Sequence, residues 1–273
     1  MTEVRRNPMT GEPVLVATAR ASRPFASNPD DCPFCPGHEN ETPPEITRLG
    51  DPWRARVFPN KYPPAAGAEV IVESARHGDL FHDVENAEEI VALYVDRFRA
   101  HRDAAAVVLF KNEGARAGAS IAHVHSQLIP LSFVPPRIAA EARGFSNTCP
   151  LCKPEGSMIR ETEHFVWIAP FASRMAYQQW IIPRRHFADV REMTGAEIDD
   201  LAALLRDAST AMRSIADSYN WMFLDFRGHG AAHFYVDLFP RTTGIAGFEL
   251  GSGTFVEIID PAEAAKTLSS CCR

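Results

Sequence analysis

The chain has 273 residues, 45% hydrophobic and 23% charged. That composition suits two ordinary globular domains or one large one, and it excludes disorder, collagen and coiled coil as descriptions of the whole chain. A formal net charge of -7 argues against a general nucleic-acid binder, which needs a basic face, yet it is compatible with a local pocket for a phosphorylated small molecule.

No apolar run approaches the roughly 20 residues of a membrane helix. The opening Met1-Thr-Glu-Val-Arg-Arg-Asn-Pro lacks the apolar stretch of a signal peptide, so a cytoplasmic location is expected. Along the chain, the first motif is Cys32-Pro-Phe-Cys35, followed by Val70-Ile-Val-Glu-Ser-Ala-Arg-His77. A helix is predicted next, with Asn86 and Glu89 at capping-box spacing and Ile90, Leu93, Tyr94 and Phe98 on one face. The apolar strand Ala106-Val-Val-Leu-Phe110 comes after it, then a glycine-rich stretch from Asn112 to Ser120, then His123-Val-His-Ser-Gln-Leu-Ile-Pro130. Between Pro135 and Asn147, Pro135-Pro136 and Gly144 predict a break.

Beyond that break the same order returns. Cys149-Pro-Leu-Cys152 precedes Trp180-Ile-Ile-Pro-Arg-Arg-His186. A second helix is predicted, with Thr194 and Glu197 as capping box and Ile198, Leu201, Leu205, Met212 and Ile215 on its apolar face. The strand Trp221-Met-Phe-Leu-Asp-Phe226 and then His233-Phe-Tyr-Val-Asp-Leu-Phe-Pro240 complete it. The second Cys and the middle His are 42 residues apart in the first half and 34 in the second, and the middle and last His are 46 and 47 apart. Duplication of one domain explains this spacing, with units over 1–140 and 141–273. Hairpin-linked strands crossed by a helix predict an α+β fold with an antiparallel sheet in each half.

In a reducing compartment Cys-x-x-Cys suggests a metal before a disulfide. Zinc takes four sulfur or nitrogen ligands in a tetrahedron. Each half offers two cysteines and two histidines in one order, giving the sets Cys32, Cys35, His77, His123 and Cys149, Cys152, His186, His233, hence two zinc ions per chain. On a strand, His123, His125 and Gln127 point to one face. The glycine-rich stretch upstream can bring backbone N–H groups and the Asn112 and Ser120 side chains to a phosphate.

Gly118-Ala-Ser120-x-x-His123-x-His125-x-Gln127 resembles the active-site motif of the galactose-1-phosphate uridylyltransferase family, the transferase branch of the histidine-triad superfamily. Asn7-Pro-Met-Thr-Gly, Arg20-Ala-Ser-Arg23-Pro24 and Phe58-Pro-Asn-Lys-Tyr-Pro63 extend the resemblance over nearly the whole chain. The stretch Gly247-Phe-Glu-Leu-Gly-Ser-Gly253 is closer to relatives that include ADP-glucose phosphorylase. The resemblance implies two tandem histidine-triad-like domains. It makes His125 the nucleophile that takes a nucleotidyl group, with His123 a metal ligand beside it and Gln127 a donor to the phosphoryl group. Asn60, Asn112, Gly118 and Ser120 match nucleotide contacts, and Ala119 stands where some members have Cys. Arg20 and Arg23 match arginines that reach the nucleotide from the partner subunit, which implies a homodimer.

Three functions fit. The first is exchange of a nucleoside monophosphate between a nucleotide sugar and a sugar 1-phosphate. The second is an ADP-glucose phosphorylase or adenylyltransferase using phosphate or another phosphorylated acceptor. The third is a non-catalytic, zinc-stabilised nucleotide-binding protein, against which the intact His125 and Gln127 speak. Aligning the two last-His segments puts Tyr235 in place of His125 and Asp237 in place of Gln127, so one catalytic centre is expected, in the first half. The short segment from Arg227 to Ala232 leaves the acceptor open, with His229 either a substrate contact or a loop residue. His38, His82, His101 and His164 read as surface or structural, and Cys271-Cys272 as an unstructured end.

Overall fold

In the computed structural model, the described residues are 3–22, 28–145 and 148–271. A small hairpin, β1 (Glu3–Arg6) and β2 (Pro13–Val16), stands apart. The first repeat supplies β3 (Thr47–Leu49), β4 (Ala55–Pro59), β5 (Glu69–Val72), helix α1 (Ala87–Ala100), β6 (Ala106–Glu113) and β7 (His125–Leu131). Helix α2 (Pro136–Gly144) links it to the second repeat, β8 (Gly156–Glu161), β9 (Phe165–Pro170), β10 (Gln179–Pro183), helix α3 (Gly195–Ile215), β11 (Tyr219–Leu224) and β12 (Tyr235–Pro240). Two further helices, α4 (Gly247–Ser252) and α5 (Pro261–Ser270), follow.

The antiparallel sheets expected in the two halves join edge to edge. The strand order is β3-β4-β5-β7-β6-β11-β12-β10-β9-β8, one ten-stranded sheet whose seam is β6 against β11. Each seam strand covers the other's unpaired N–H and C=O groups, which alone would be an open edge. At the seam Phe110 lies opposite Met222; one strand farther out Gln127 pairs with Phe110 and Asp237 with Met222; beyond them stand Val70 and Trp180. The two repeats are therefore related by a local two-fold axis through the seam. The same register confirms that His125 corresponds to Tyr235 and Gln127 to Asp237.

One face of the sheet carries the helices. Ile90, Leu93, Tyr94 and Phe98 of α1 and Ile198, Leu201, Leu205 and Met212 of α3 are buried in a single core with Leu109, Leu128, Trp221 and Phe223 of the strands, and Ile215 packs at its edge. Tyr94 and Phe98 of the first repeat meet the ring of Phe223 of the second, at 5.8 and 6.4 Å between centroids, so the core crosses the seam. Each such large apolar side chain contributes about 1.5–3 kcal/mol on burial. The opposite face is covered by the two cysteine-bearing segments, Cys32 and Cys35 packing with Phe58, Val70 and Val72, and Leu151 with Ile182, Leu224 and Tyr235.

Three local expectations change. Thr194 and Glu197 form the reciprocal capping box at the start of α3, but Asn86 makes no side-chain capping bond at α1. Its backbone is not extended (φ -115°, ψ 56°), unlike that of Thr194, and Glu89 pairs with Arg54 at 2.8 Å. The predicted break around Pro135-Pro136 ends β7 yet starts α2, with Pro136 in the first turn, where a missing N–H is tolerated. At the other end, Cys271 is no loose tail: it caps α5, its Sγ lying 3.1 Å from Ser214 Oγ, while Cys272 lies outside the described residues.

The two helix starts separate in a measurement. Thr194→Ala is expected to lower stability by about 1 kcal/mol, and Asn86→Ala by no more than a few tenths, in urea unfolding. Equal losses would contradict the capping assignment.

Candidate active site and metal centres

The cysteine knuckles dock where β7 and β12 begin. In the first half the donor atoms of Cys32, Cys35, His77 and His123 lie within 4.8 Å of one another. His123 Nδ1 is 3.5 Å from Cys32 Sγ and 3.6 Å from Cys35 Sγ, and His77 Nδ1 is 3.3 Å from Cys35 Sγ. In the second half Cys149, Cys152, His186 and His233 gather likewise. Nδ1 of His233 lies 3.3 Å from Cys149 Sγ and 3.7 Å from Cys152 Sγ, and Nδ1 of His186 is 3.3 Å from Cys152 Sγ. A tetrahedral ion with ordinary Zn–S and Zn–N bonds separates S and N by roughly 3.6 Å, so both sets fit a four-coordinate ion.

The outer hydrogen bonds agree with that fit. His123 Nε2–H donates to the carbonyl of Ser74 (2.8 Å) and His233 Nε2–H to that of Pro183 (2.9 Å), which leaves the Nδ1 lone pair of each facing the sulfurs. Burial pushes the Cys35 thiol up to about 11, helped by the neighbouring Cys32, and pushes His123 and His233 down to about 4. Two thiolates side by side need a cation, and neutral imidazoles are the form that binds one. The first centre is mostly buried; the second leaves Cys152 and His186 exposed.

The strand that carries His123 presents His125 two residues on. The His125 Nδ1–H donates to the main-chain carbonyl of His123 at 2.7 Å, so the unprotonated Nε2 is the ring's free nucleophilic atom. Burial holds this imidazole down to about 4, hence neutral near pH 7. His125 and Gln127 open onto a cleft enclosing about 850 Å³, including its mouth. Asn60, Ser120, Ile121, Phe58 and Tyr62 also line it. Asn60 Nδ2 donates to Gln127 Oε1 (3.4 Å), which orients the Gln127 NH2 group as a donor to a ligand. Phe34, inside the first knuckle, meets His125 edge-on with centroids 5.2 Å apart, so the knuckle also builds the cleft wall.

The remaining sequence-predicted residues fall in different places. Asn112 and Gly118 do not line this cleft: Asn112 Oδ1 accepts from Asn220 Nδ2 across the seam (2.8 Å), and Gly118 closes the preceding turn with φ 90°, a conformation that favours glycine. The N–H of Ala119 is bonded to the carbonyl of Gly114 (3.2 Å). Arg20 Nη1 donates to the carbonyl of Tyr62 in its own chain (2.7 Å), on the cleft rim, and Arg23 lies outside the described residues. His38 bonds to the carbonyl of Cys32 and His101 to Glu69, each at 2.7 Å, His82 lies 3.3 Å from Ser209 Oγ, and His164 stands where its N–H donates to Asp200, all structural positions. His229 sits in the turn after β11.

Two networks were not foreseen. Behind His125, Lys111 and Glu73 form a fully buried ion pair, and Lys111 Nζ also donates to the His125 carbonyl at 3.1 Å. Its sequence signal was a lysine on the inward face of an apolar strand. In the second half, α2 reaches over the corresponding ground. Arg137 Nη2 donates to Asp237 Oδ2 (2.7 Å) and to the Tyr235 hydroxyl (3.2 Å), Tyr235 donates to Glu141 (2.8 Å), and Gln178 donates to Asp237 (2.6 Å). A neutralised carboxylate and a tethered phenol thus occupy the positions of the amide and the imidazole.

Residues 86–271 match a family described as a domain of unknown function, DUF4921. An ADP-glucose phosphorylase of Arabidopsis thaliana is 30% identical over 97% of this chain and 92% of its own length. A galactose-1-phosphate uridylyltransferase of Thermotoga maritima is 27% identical over 98% of each chain. A crystal structure of an ADP-glucose phosphorylase from Arabidopsis thaliana with bound ADP-glucose superposes with a TM-score of 0.82 at 29% identity, covering 98% of this chain and 99% of that one. Among the described residues, no helix is long and apolar enough to cross a membrane.

Both clusters are expected to load. Metal analysis of protein purified without chelator should return close to two equivalents per chain, and Cys149→Ser should lower this to about one while leaving the first centre filled. A parent value near one, unchanged by Cys149→Ser, removes the second centre.

Proposed function

As this chain belongs to the galactose-1-phosphate uridylyltransferase-like family, we propose that it is a nucleotidyltransferase exchanging a nucleoside monophosphate between a nucleotide sugar and a sugar 1-phosphate through a nucleotidyl-His125. The observation that carries this reading is the His125 ring itself, neutral, bonded through Nδ1–H to the His123 carbonyl, and opening with Gln127, Ser120 and Asn60 onto one cleft.

In the first step the Nε2 lone pair attacks the α-phosphorus of the nucleotide sugar. The P–N bond forms as the P–O bond to the sugar phosphate breaks, and the leaving oxygen takes the electron pair. In the second step a phosphate oxygen of the acceptor attacks and the pair returns to Nε2. Phosphate leaving groups are weakly basic, so the protein's main task is positioning and charge stabilisation. The Nδ1–H to His123 carbonyl bond supports the positive charge that grows on the ring. Gln127 and Ser120 supply donors to the phosphoryl oxygens, and by resemblance we assign Asn60 to the nucleotide; Asn112, Gly118 and Ala119, which do not line the cleft, are not assigned to it. The Cys32, Cys35, His77, His123 and Cys149, Cys152, His186, His233 sets are assigned to zinc, which, when bound, ties each knuckle to its strand. The first repeat, 1–140, is the catalytic unit, and 141–273 keeps fold and metal without transfer chemistry. Its paired thiols suit the reducing cytoplasm.

A second reading keeps the covalent step and changes the acceptor to inorganic phosphate, as in an ADP-glucose phosphorylase. The relative of that name at 30% identity favours it. We also place the chain in a homodimer, in which Arg20 and Arg23 complete the partner's cleft. Phe248, Leu250, Val256 and Ile258 support an interface, being 57–77% exposed within one short stretch. Since Arg20 is tied to Tyr62 within one chain, reaching a partner's nucleotide requires exchanging that bond.

Incubation with UDP-glucose and with ADP-glucose separately, followed by intact mass, identifies the nucleotidyl group retained; release of glucose 1-phosphate that depends on added phosphate selects the second reading. His125→Ala is expected to stay folded with both metals and to lose adduct formation by at least about 1000-fold, whereas Tyr235→Phe costs only a few-fold. An adduct on His125→Ala, or one mapping to the second half, contradicts the assignment. Light scattering should give twice the chain mass; a fully active monomer would remove the dimer.

A further inference from the structure

Behind the cleft, on the helix face of the sheet, lies a closed set of polar groups. Lys111 of β6 is ion-paired to Glu73, which follows β5; both side chains are fully buried. Tyr94 of α1 donates to the same Glu73, and its hydroxyl lies 3.0 Å from Ser126 Oγ of β7. All of these groups touch the nucleophile's stretch of chain. Lys111 Nζ donates to the His125 carbonyl (3.1 Å), the Glu73 N–H donates to the Val124 carbonyl (3.1 Å), and Ser126 is the next residue. The His123 carbonyl is already engaged by the His125 ring. Three successive carbonyls, 123 to 125, are bonded, that of His125 by the Lys111 side chain, that of Val124 by the Glu73 main-chain N–H and that of His123 by the His125 ring.

Stability alone does not account for such a set. Taking two charges out of water is costly, and a well-packed apolar pair is often as stable or more so. The molecule contains its own control. The local two-fold axis equates Lys111 with Phe223 and Ser126 with Val236, which pair with each other in β11 and β12 as Lys111 pairs with Ser126 in β6 and β7. In the same register Pro183 stands for Glu73. The repeat that carries Tyr235 in place of the histidine therefore keeps the same strands, the same helix and its own cysteine–histidine cluster over an apolar layer.

We infer that Lys111, Glu73, Tyr94 and Ser126 are positioning residues for His125, holding its backbone so that the ring keeps its bond to the His123 carbonyl and aims Nε2 along the line of attack. This rests on the reading of His125 as nucleophile. Lys111 and Glu73 do not line the cleft, so their effect falls on the rate of the covalent step and not on nucleotide affinity.

The test is the double variant Lys111→Met, Glu73→Leu, which makes the layer resemble its counterpart. It is expected to fold, to bind metal as the parent does, and to melt at or above the parent temperature. With a nucleotide sugar, KM should stay within about twofold while nucleotidyl-enzyme forms about 10- to 100-fold more slowly, the scale of a small misplacement of a reacting group. Without any turnover, nitrogen-15 NMR of the His125 ring should show a single Nδ1-protonated tautomer in the parent and a mixture in the double variant. A double variant that fails to fold, an unchanged tautomer, or an unchanged rate in an active parent overturns the positioning role. If the parent forms no adduct with any nucleotide sugar, the transferase reading fails, and the tautomer comparison still decides whether the network holds His125.

Discussion

The bond from the His125 ring to the carbonyl of His123 is the constraint on which the site depends. It makes Nδ1 the protonated nitrogen and leaves Nε2 free. Its acceptor belongs to a residue fixed at both ring nitrogens, Nδ1 among the Cys32 and Cys35 sulfurs and Nε2 on the Ser74 carbonyl. The cysteine–histidine corner and the His125 ring are thus one mechanical unit, two residues apart on a strand. The same knuckle contributes Phe34 to the wall beside His125, so a change in the corner moves both the ring and the cleft.

The seam between β6 and β11 carries the second consequence. Two copies of one pattern close each other's sheet edges, and the core beneath them is shared across the seam. Once the sheet and core are common property, the two copies can carry different residues at matching positions without losing their place in the fold. The second repeat differs in a definite way. Tyr235 and Asp237 are bound up with Arg137 and Glu141 from α2 and with Gln178. An ion pair and a tethered phenol satisfy the polar groups that a ligand would otherwise have to meet.

Much of this was legible before any coordinates. Period-2 and period-3.6 patterns located β6, β7, β11, α1 and α3, because burying an apolar face is a local requirement written in spacing. The two metal sets were legible because ligand chemistry restricts residue types so sharply that an ordered Cys, Cys, His, His series appearing twice has few other meanings. The alignment of His125 with Tyr235 and Gln127 with Asp237 was legible from the repeat and is reproduced by strand register. Asn86 shows the limit. Its spacing to Glu89 satisfies a capping box, but its backbone is not extended as a cap requires, and no capping bond forms.

The sequence by itself determined the duplication, the α+β class, the two cysteine–histidine clusters and the histidine strand, since each depends on residue type and spacing along one segment. Tertiary structure alone decided that the two halves share a single sheet, that Asn112 turns to Asn220 instead of the cleft, that Arg20 bonds its own chain's Tyr62, and that Lys111 and Glu73 meet beneath His125. The side-chain bonds among them from Glu73 to Lys111, Arg20 to Tyr62 and Asn112 to Asn220 join residues 38, 42 and 108 positions apart. No local pattern records them, because the free energy that selects such pairings belongs to the packed whole and not to either segment.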